Sequence, residues 1–151
     1  MSTTPRATPI PDSHIDILTS RPTAYLATVR PDGMLSVNPV AVMWDGQHLR
    51  VSTVKTRKKV RNLEHDPRVA IAIAHRNNPN LYVEVRGTAE LADDTDRSFV
   101  DAMAQVYMGV DRYPFDRPGD ERVTITIHAT QVSAPRIPLA DDPPTAPDPP
   151  T

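Results

Sequence analysis

Hydrophobic and polar residues alternate with a period of two through most of the middle of the chain. Thr23–Arg30 (TAYLATVR) reads as a strand, and Pro31-Asp32-Gly33 behind it supplies a tight turn. Leu35–Trp44 reads as a second strand interrupted at Pro39, and Asp45-Gly46 is another hairpin signal leading into Gln47–Thr53. Arg68–Ala74 carries β-branched residues on one face and alanine on the other. That pattern predicts a strand buried on both sides, with alanine leaving room for something to approach closely. Leu81–Leu91 is a long strand with a bulge or bend at Gly87, and Arg122–Ser133 closes the series with Val123, Ile125 and Ile127 inward.

Helical periods interrupt this pattern three times. Asp12-Ser13 caps a short helix whose inward residues are Ile15 and Leu18. Thr56–Glu64 places Val60 and Leu63 three apart amid charge, a short surface helix that starts at a Thr56 cap and ends before Pro67. Asp94–Tyr107 is amphipathic, capped by Thr95 or Asp96, with Phe99, Met103 and Val106 as its inner stripe. The order predicts a mainly β fold, an antiparallel barrel closed or nearly closed, with a few helices. A sandwich is the second arrangement the pattern allows. No internal repeat is present.

The ends change the picture. Residues 1–11 carry Pro5, Pro9 and Pro11, and residues 138–151 hold six prolines and three aspartates, with no apolar period in either. Such composition favours extended, solvated chain. The expected organisation is a flexible arm over 1–11, one domain over 12–136 and a Pro/Asp-rich disordered tail over 137–151. A net charge of −2 argues against a general nucleic-acid binder. Cysteine is absent, which excludes disulfides and thiolate metal sites and fits a reducing cytoplasm. No apolar run approaches the roughly 20 residues that span a bilayer, and the N-terminus lacks the core of a secretory signal. A cytoplasmic protein without a membrane partner is expected.

One segment breaks a local rule. Lys55, Arg57, Lys58, Lys59 and Arg61 put five positive charges within seven residues. With Thr56 as cap, Arg57, Lys58 and Lys59 fill the first turn of a helix, where the dipole is already positive and each cation costs about 0.3–1 kcal/mol. A bound phosphate reverses the balance by accepting free backbone N–H groups and pairing with the cations, and Ser52 and Thr53 add hydroxyl donors. A solvated basic face, or a helix start one turn later, fits the charge pattern equally well.

Around this segment the sequence resembles a known family. Ala27-Thr28-Val29-Arg30-Pro31-Asp32-Gly33 followed by Ser36-Val37-Asn38-Pro39-Val40 is similar to the opening hairpin of the pyridoxamine 5′-phosphate oxidase-like proteins. The run from Thr56 to Ala70, with Arg57, Lys59, Leu63 and Asp66-Pro67-Arg68, resembles that family's cofactor-phosphate segment. Val85 to Leu91 resembles its Gly-x-Ala-Glu strand, so the likeness runs from about residue 13 to 134. Arg57 to Leu63 is similar to the actinobacterial branch that uses the deazaflavin coenzyme F420.

The resemblance implies a split β-barrel that forms a homodimer, with cofactor sites at the interface. It implies phosphate contacts from Arg57 and Lys59, assisted by Arg61. Ser36, Val37, Asn38 and Pro39 would line the flavin-like ring, Ser52 and Thr53 would bridge ring and phosphate, and Tyr82 would reach the partner's cofactor. The implied function is hydride transfer between reduced F420 and a small organic acceptor, with no catalytic side chain nominated. An FMN-dependent oxidase or reductase and a non-catalytic flavin- or heme-binding module are the alternatives. Residues 135–151 lack the arginine–histidine substrate motif of true pyridoxamine phosphate oxidases, which disfavours pyridoxal phosphate synthesis.

Other candidate chemistry is thin. His14, His48, His65, His75 and His128 never take the spacing of a helical zinc pair and are expected at the surface or at strand ends, with no metal site. Trp44 is expected to cover the barrel end. Tyr107, Tyr113 and Phe115 surround Met108-Gly109-Val110 and Pro114, in a loop that fits a pocket wall and a plain covering loop equally well.

Overall fold

Seven antiparallel strands in one curled sheet dominate the computed structural model, which describes residues 8–135. A 3-10 turn (Asp12–His14) leads into α1 (Ile15–Thr19), then β1 (Thr23–Val29), β2 (Leu35–Ala41), β3 (Met43–Trp44) and β4 (Leu49–Val54). After these come α2 (Lys58–His65), β5 (Arg68–His75), β6 (Asn78–Asp93), α3 (Ser98–Met108) and β7 (Arg122–Ser133). The strand order is β2-β1-β5-β6-β7-β4-β3. The two outermost strands, β2 and β3, are separated in the chain by Val42 alone. Consecutive Cα atoms lie only about 3.8 Å apart, so the sheet's two edges must meet, and the sheet curls into a split barrel.

The seam is pinned from outside the sheet. The Tyr107 hydroxyl of α3 accepts the Val42 amide at 3.2 Å and lies 2.7 Å from the Val42 carbonyl and 3.0 Å from that of Pro22. Burial pushes the Tyr107 phenol above its ordinary pKa, which keeps it a neutral donor. The Leu35–Trp44 strand therefore breaks at Val42 and not at Pro39. Pro39 sits inside β2 opposite Tyr25, and β2 is an edge strand whose sole neighbour is β1, so a missing N–H is tolerated there.

The barrel is filled by the β-branched face of its strands. Ile71, Ile73, Val83, Val85 and Ile125 are fully buried. Within this chain the alanine face of β5, Ala70, Ala72 and Ala74, is of intermediate exposure, while Val69, Ile71 and Ile73 are buried. In α1 the buried residues are Ile17 and Leu18, with Ile15 only partly buried against the core, and no side chain caps the turn ahead of it. The inner face of α3 is also rotated from the expected stripe: Val100, Met103 and Ala104 are buried, while Val106 is exposed. The cause is a later start. Arg97 adopts a left-handed conformation (φ 62°), the Asp94 carboxylate accepts the amides of Phe99 and Val100 at 3.2 and 2.9 Å, and Asp96, one of the two expected caps, accepts that of Ser98 at 3.0 Å. His14 is buried, contrary to the surface position expected of the histidines. Trp44 packs on the core at the barrel end beside Leu49 and Ile127.

Of the proline-rich arm, Thr8 and Ile10 are held: the Thr8 amide donates to Ala129 O at 3.0 Å, and Ile10 is buried. The tail over 137–151 lies outside the described residues. Among the described residues no helix is long and apolar enough to cross a membrane.

The expected irregularity at Gly87 is present, as a register shift between Arg86 and Gly87 where β6 crosses β7. A Cβ on Gly87 would meet the His128 carbonyl oxygen at 1.9 Å and its carbon at 2.9 Å. Both obstacles are backbone, so they cannot swing aside. Gly87→Ala is expected to destabilise the fold by about 1–3 kcal/mol or more through overpacking. Urea unfolding of the two proteins measures this, and an unchanged midpoint would contradict the close approach.

Candidate functional site

A cavity of about 760 Å³ opens along the seam. One wall is β2 (Asn38 to Ala41), another is β4 (Ser52 to Val54), and the start of α2 closes one end. The inner face of α3, through Val100, Met103, Ala104 and Tyr107, forms the opposite wall together with Tyr113. The pocket exists because β2 and β4 part at the split while α3 lies across it.

Its charge is one-sided. Arg57, Lys58, Lys59 and Arg122 line the cavity, and among the described residues no carboxylate does. Among the described residues none of Arg57, Lys58 and Lys59 takes part in an ion pair. Burial holds the Lys59 ammonium below its usual pKa, and the neighbouring Arg57 charge pushes the same way. Three unpaired cations at a helix start are a standing cost that an anion removes.

The helix start differs by one residue from the expected one. Arg57 is itself the N-cap, with extended backbone (φ −70°, ψ 144°), and only Lys58 and Lys59 enter the first turn. The Arg57 side chain makes no capping hydrogen bond, and Thr56 lies one residue outside the cap position. The axis is fixed from below: the Asn62 carboxamide donates to the Thr28 hydroxyl at 3.0 Å in a buried contact with β1, beside buried Val60 and Leu63. Lys55 turns away, 3.7 Å from Asp93 and 3.8 Å from Glu121.

Six of the ten residues expected at the site, Asn38, Pro39, Ser52, Thr53, Arg57 and Lys59, line this one cavity. Ser36, Val37, Arg61 and Tyr82 do not. Val37 is 65% exposed, Arg61 lies on the exposed side of α2, and Tyr82 sits opposite Ala74 on the outer face of the sheet. The Asn38 side-chain oxygen is buried and, among the described residues, has no hydrogen-bond partner. A buried acceptor of this kind in a pocket wall can take a hydrogen bond from a ligand N–H or from water. The cationic end and this acceptor together fit a phosphorylated ring compound that presents an N–H edge.

Two lining residues, Arg122 and Tyr113, come from the far end of the chain. The Asp116 carboxylate binds Arg97 at 2.6 Å and also grips Arg122, whose guanidinium reaches the Ser52 hydroxyl at 3.4 Å. The Arg122 guanidinium also lies 4.5 Å from the centre of the Tyr113 ring. Of these, only the aromatic loop carries a sequence signal, since Arg122 opens a strand and pairs with an acid that no periodic pattern marks.

The family model described as pyridoxamine 5′-phosphate oxidase matches residues 10–134. A solved structure of an F420 reductase is 34% identical, covers 82% of this chain and 98% of its own, and superposes with a TM-score of 0.72. General Stress Protein 26 of Bacillus anthracis (23% identity, 80% of this chain and 89% of its own, TM-score 0.60) has the same fold. So does a pyridoxamine 5′-phosphate oxidase-related, FMN-binding protein of Nostoc punctiforme (19% identity, 79% and 76%, TM-score 0.55). No curated protein gives a significant match.

The Asp116 clamp makes this wall of the cavity sensitive to acid. Its hydrogen bond with Arg122, assisted by Arg97, holds the carboxyl below the ordinary value of 3.8. The folded pKa being the lower one, the stability this group contributes is fully present above pH 3.8 and is lost as pH falls through the folded value. Asp116→Asn is therefore expected to flatten the loss of stability below about pH 4. Chemical unfolding across a pH series reads the difference in slope, and parallel curves would contradict it.

Proposed function

This chain belongs to the pyridoxamine 5′-phosphate oxidase family, and from that premise we propose that it is an oxidoreductase using F420 as cofactor. The proposed reaction is hydride transfer between the reduced deazaflavin and a small organic acceptor. The observation that carries the reading is the cavity at the start of α2, lined by four cations and, among the described residues, by no carboxylate. Arg57, Lys59 and the first-turn amides would take the cofactor phosphate. Ser52 and Thr53 would follow it along β4, and the unpaired Asn38 oxygen would meet an N–H on the ring edge. When bound, the cofactor supplies the two-electron chemistry, and the protein orients it and excludes water. The F420 reductase at 34% identity favours the deazaflavin, and FMN is the second reading because an FMN-binding relative shares the fold.

We further propose that the chain works as a homodimer. Leu35, Val37 and Tyr25 are 76%, 65% and 51% exposed on the outer face, beside the half-open alanines of β5. Tyr25 lies between Pro39 and Ala72 across three strands, and Ala74 faces Tyr82. Such a face lets a second sheet approach closely, and it carries two residues, Val37 and Tyr82, that the family resemblance assigns to the cofactor although neither lines this chain's own cavity.

Fluorescence titration with F420 and with FMN tests the cofactor. Binding of F420 is expected on the order of micromolar or tighter. Lys59→Ala should weaken it about tenfold or more by removing a charge-assisted contact, and wild-type affinity should fall as salt rises. If neither cofactor binds the wild type, the reading is wrong.

Sedimentation analysis tests the dimer. The wild type is expected at twice the chain mass and Ala72→Arg at the monomer mass with weakened cofactor binding. A monomeric wild type that binds cofactor fully would remove the partner from the site.

A further inference from the structure

Lysine is used in one place only. Of the chain's 17 basic side chains three are lysines, Lys55, Lys58 and Lys59, and arginine serves every other position. Both residue types hold phosphate, and arginine's planar fork does so with two bonds at once. What lysine alone adds is an amine that can lose its proton and attack a carbonyl carbon.

The three lysines meet different surroundings. Lys55 lies outside the cavity, 3.7 Å from Asp93 and 3.8 Å from Glu121, and those carboxylates repel an anionic reagent. Lys58 lines the cavity but is exposed to water. Lys59 lines the same cavity half-buried, and among the described residues it has no carboxylate partner. Burial holds its ammonium below the usual pKa, and the Arg57 charge pushes the same way, so more of Lys59 stands as free amine. A lysine beside another cation in a partly desolvated site is an activated nucleophile. The cations around it, Arg57, Lys58 and Arg122, remain to gather an anion.

We propose that Lys59 is an acylation site for small acyl phosphates, which dock their phosphate on the neighbouring Arg57 and Lys58 and pass the acyl group to the lysine amine. In that step the Lys59 Nζ lone pair forms a bond to the acyl carbon. The bond from that carbon to the phosphate oxygen breaks, and inorganic phosphate leaves with the electron pair. The amine proton passes to the departing phosphate or to water, and no further reactant is needed. The product is an uncharged amide, so the modification removes a cation from the end of the cavity assigned above to the cofactor phosphate. Cofactor and acyl phosphate then exclude each other. That consequence rests on the cofactor reading, whereas the acyl transfer needs only the cationic cavity.

The test uses acetyl phosphate and follows each lysine by peptide mass spectrometry, in native protein and in protein unfolded by guanidinium chloride. Native Lys59 is expected to acetylate about tenfold faster than Lys55 and about threefold faster than Lys58, and unfolding should bring all three within about twofold. Inorganic phosphate, against chloride at equal ionic strength, should slow Lys59 and leave Lys55 unchanged. Arg57→Gln, which removes both an anion partner and the charge beside the amine, should slow Lys59 about threefold. Protein acetylated at Lys59 should bind F420 or FMN about tenfold more weakly, as should Lys59→Gln, while Lys59→Arg should lose no affinity on acetyl phosphate treatment. A native Lys59 no faster than Lys58, a lead that persists in the unfolded chain, or one that inorganic phosphate leaves unchanged overturns the proposal. Acetylated protein that binds cofactor as tightly as untreated protein overturns the mutual exclusion. A wild type that shows the Lys59 lead yet binds neither cofactor supports the acylation site and overturns the cofactor reading.

Discussion

Val42 carries the chain from one edge of the sheet to the other in a single step. Seven flat strands about 4.8 Å apart would put those edges roughly 29 Å from each other, a distance that no single residue spans. Closure is therefore imposed by the covalent chain, and the twist of the strands and the packing of the core must accommodate it. The Tyr107 hydroxyl takes up the amide and carbonyl that Val42 cannot place in either neighbouring strand. The seam is thus a covalent crossing with its polar groups satisfied by a helix from elsewhere in the chain.

The site follows from that closure. A strand pair that meets at Val42 and separates beyond it leaves a wedge between β2 and β4, and α3, anchored at the seam by Tyr107, roofs the wedge. The buried Asn62–Thr28 contact then sets where α2 begins relative to the barrel, which places Lys58 and Lys59 at the wedge's end. Charge and shape thus come from different parts of the chain. The cations are local to residues 57–59, while the apolar wall and the Arg122–Asp116–Tyr113 group arrive from residues 100–122.

Much of the fold was legible in the sequence because it is written in short-range chemistry. Strand alternation, the Asp-Gly turn, the Gly87 shift and the anomalous basic run all appear within windows of about ten residues or fewer. What was missed depends on contacts between windows. The break at Val42 has no signature, since a valine suits a strand interior. The rotated face of α3 follows from Asp94 capping amides five and six residues on, past a left-handed Arg97. Of the site, the basic residues were readable because five cations in seven residues are unusual. Arg122 was not, because its partners Asp116, Ser52 and Tyr113 meet it only in three dimensions.

The wedge has a thermodynamic side as well. A molecule that fills it touches β2, β4, α2 and α3 together, and those elements are adjacent only when the barrel is closed. Occupancy and closure are then linked equilibria. At a hundredfold excess over its dissociation constant, a ligand specific to the closed form adds about 2.7 kcal/mol against unfolding. For this chain, melting temperature becomes a reading of ligand concentration.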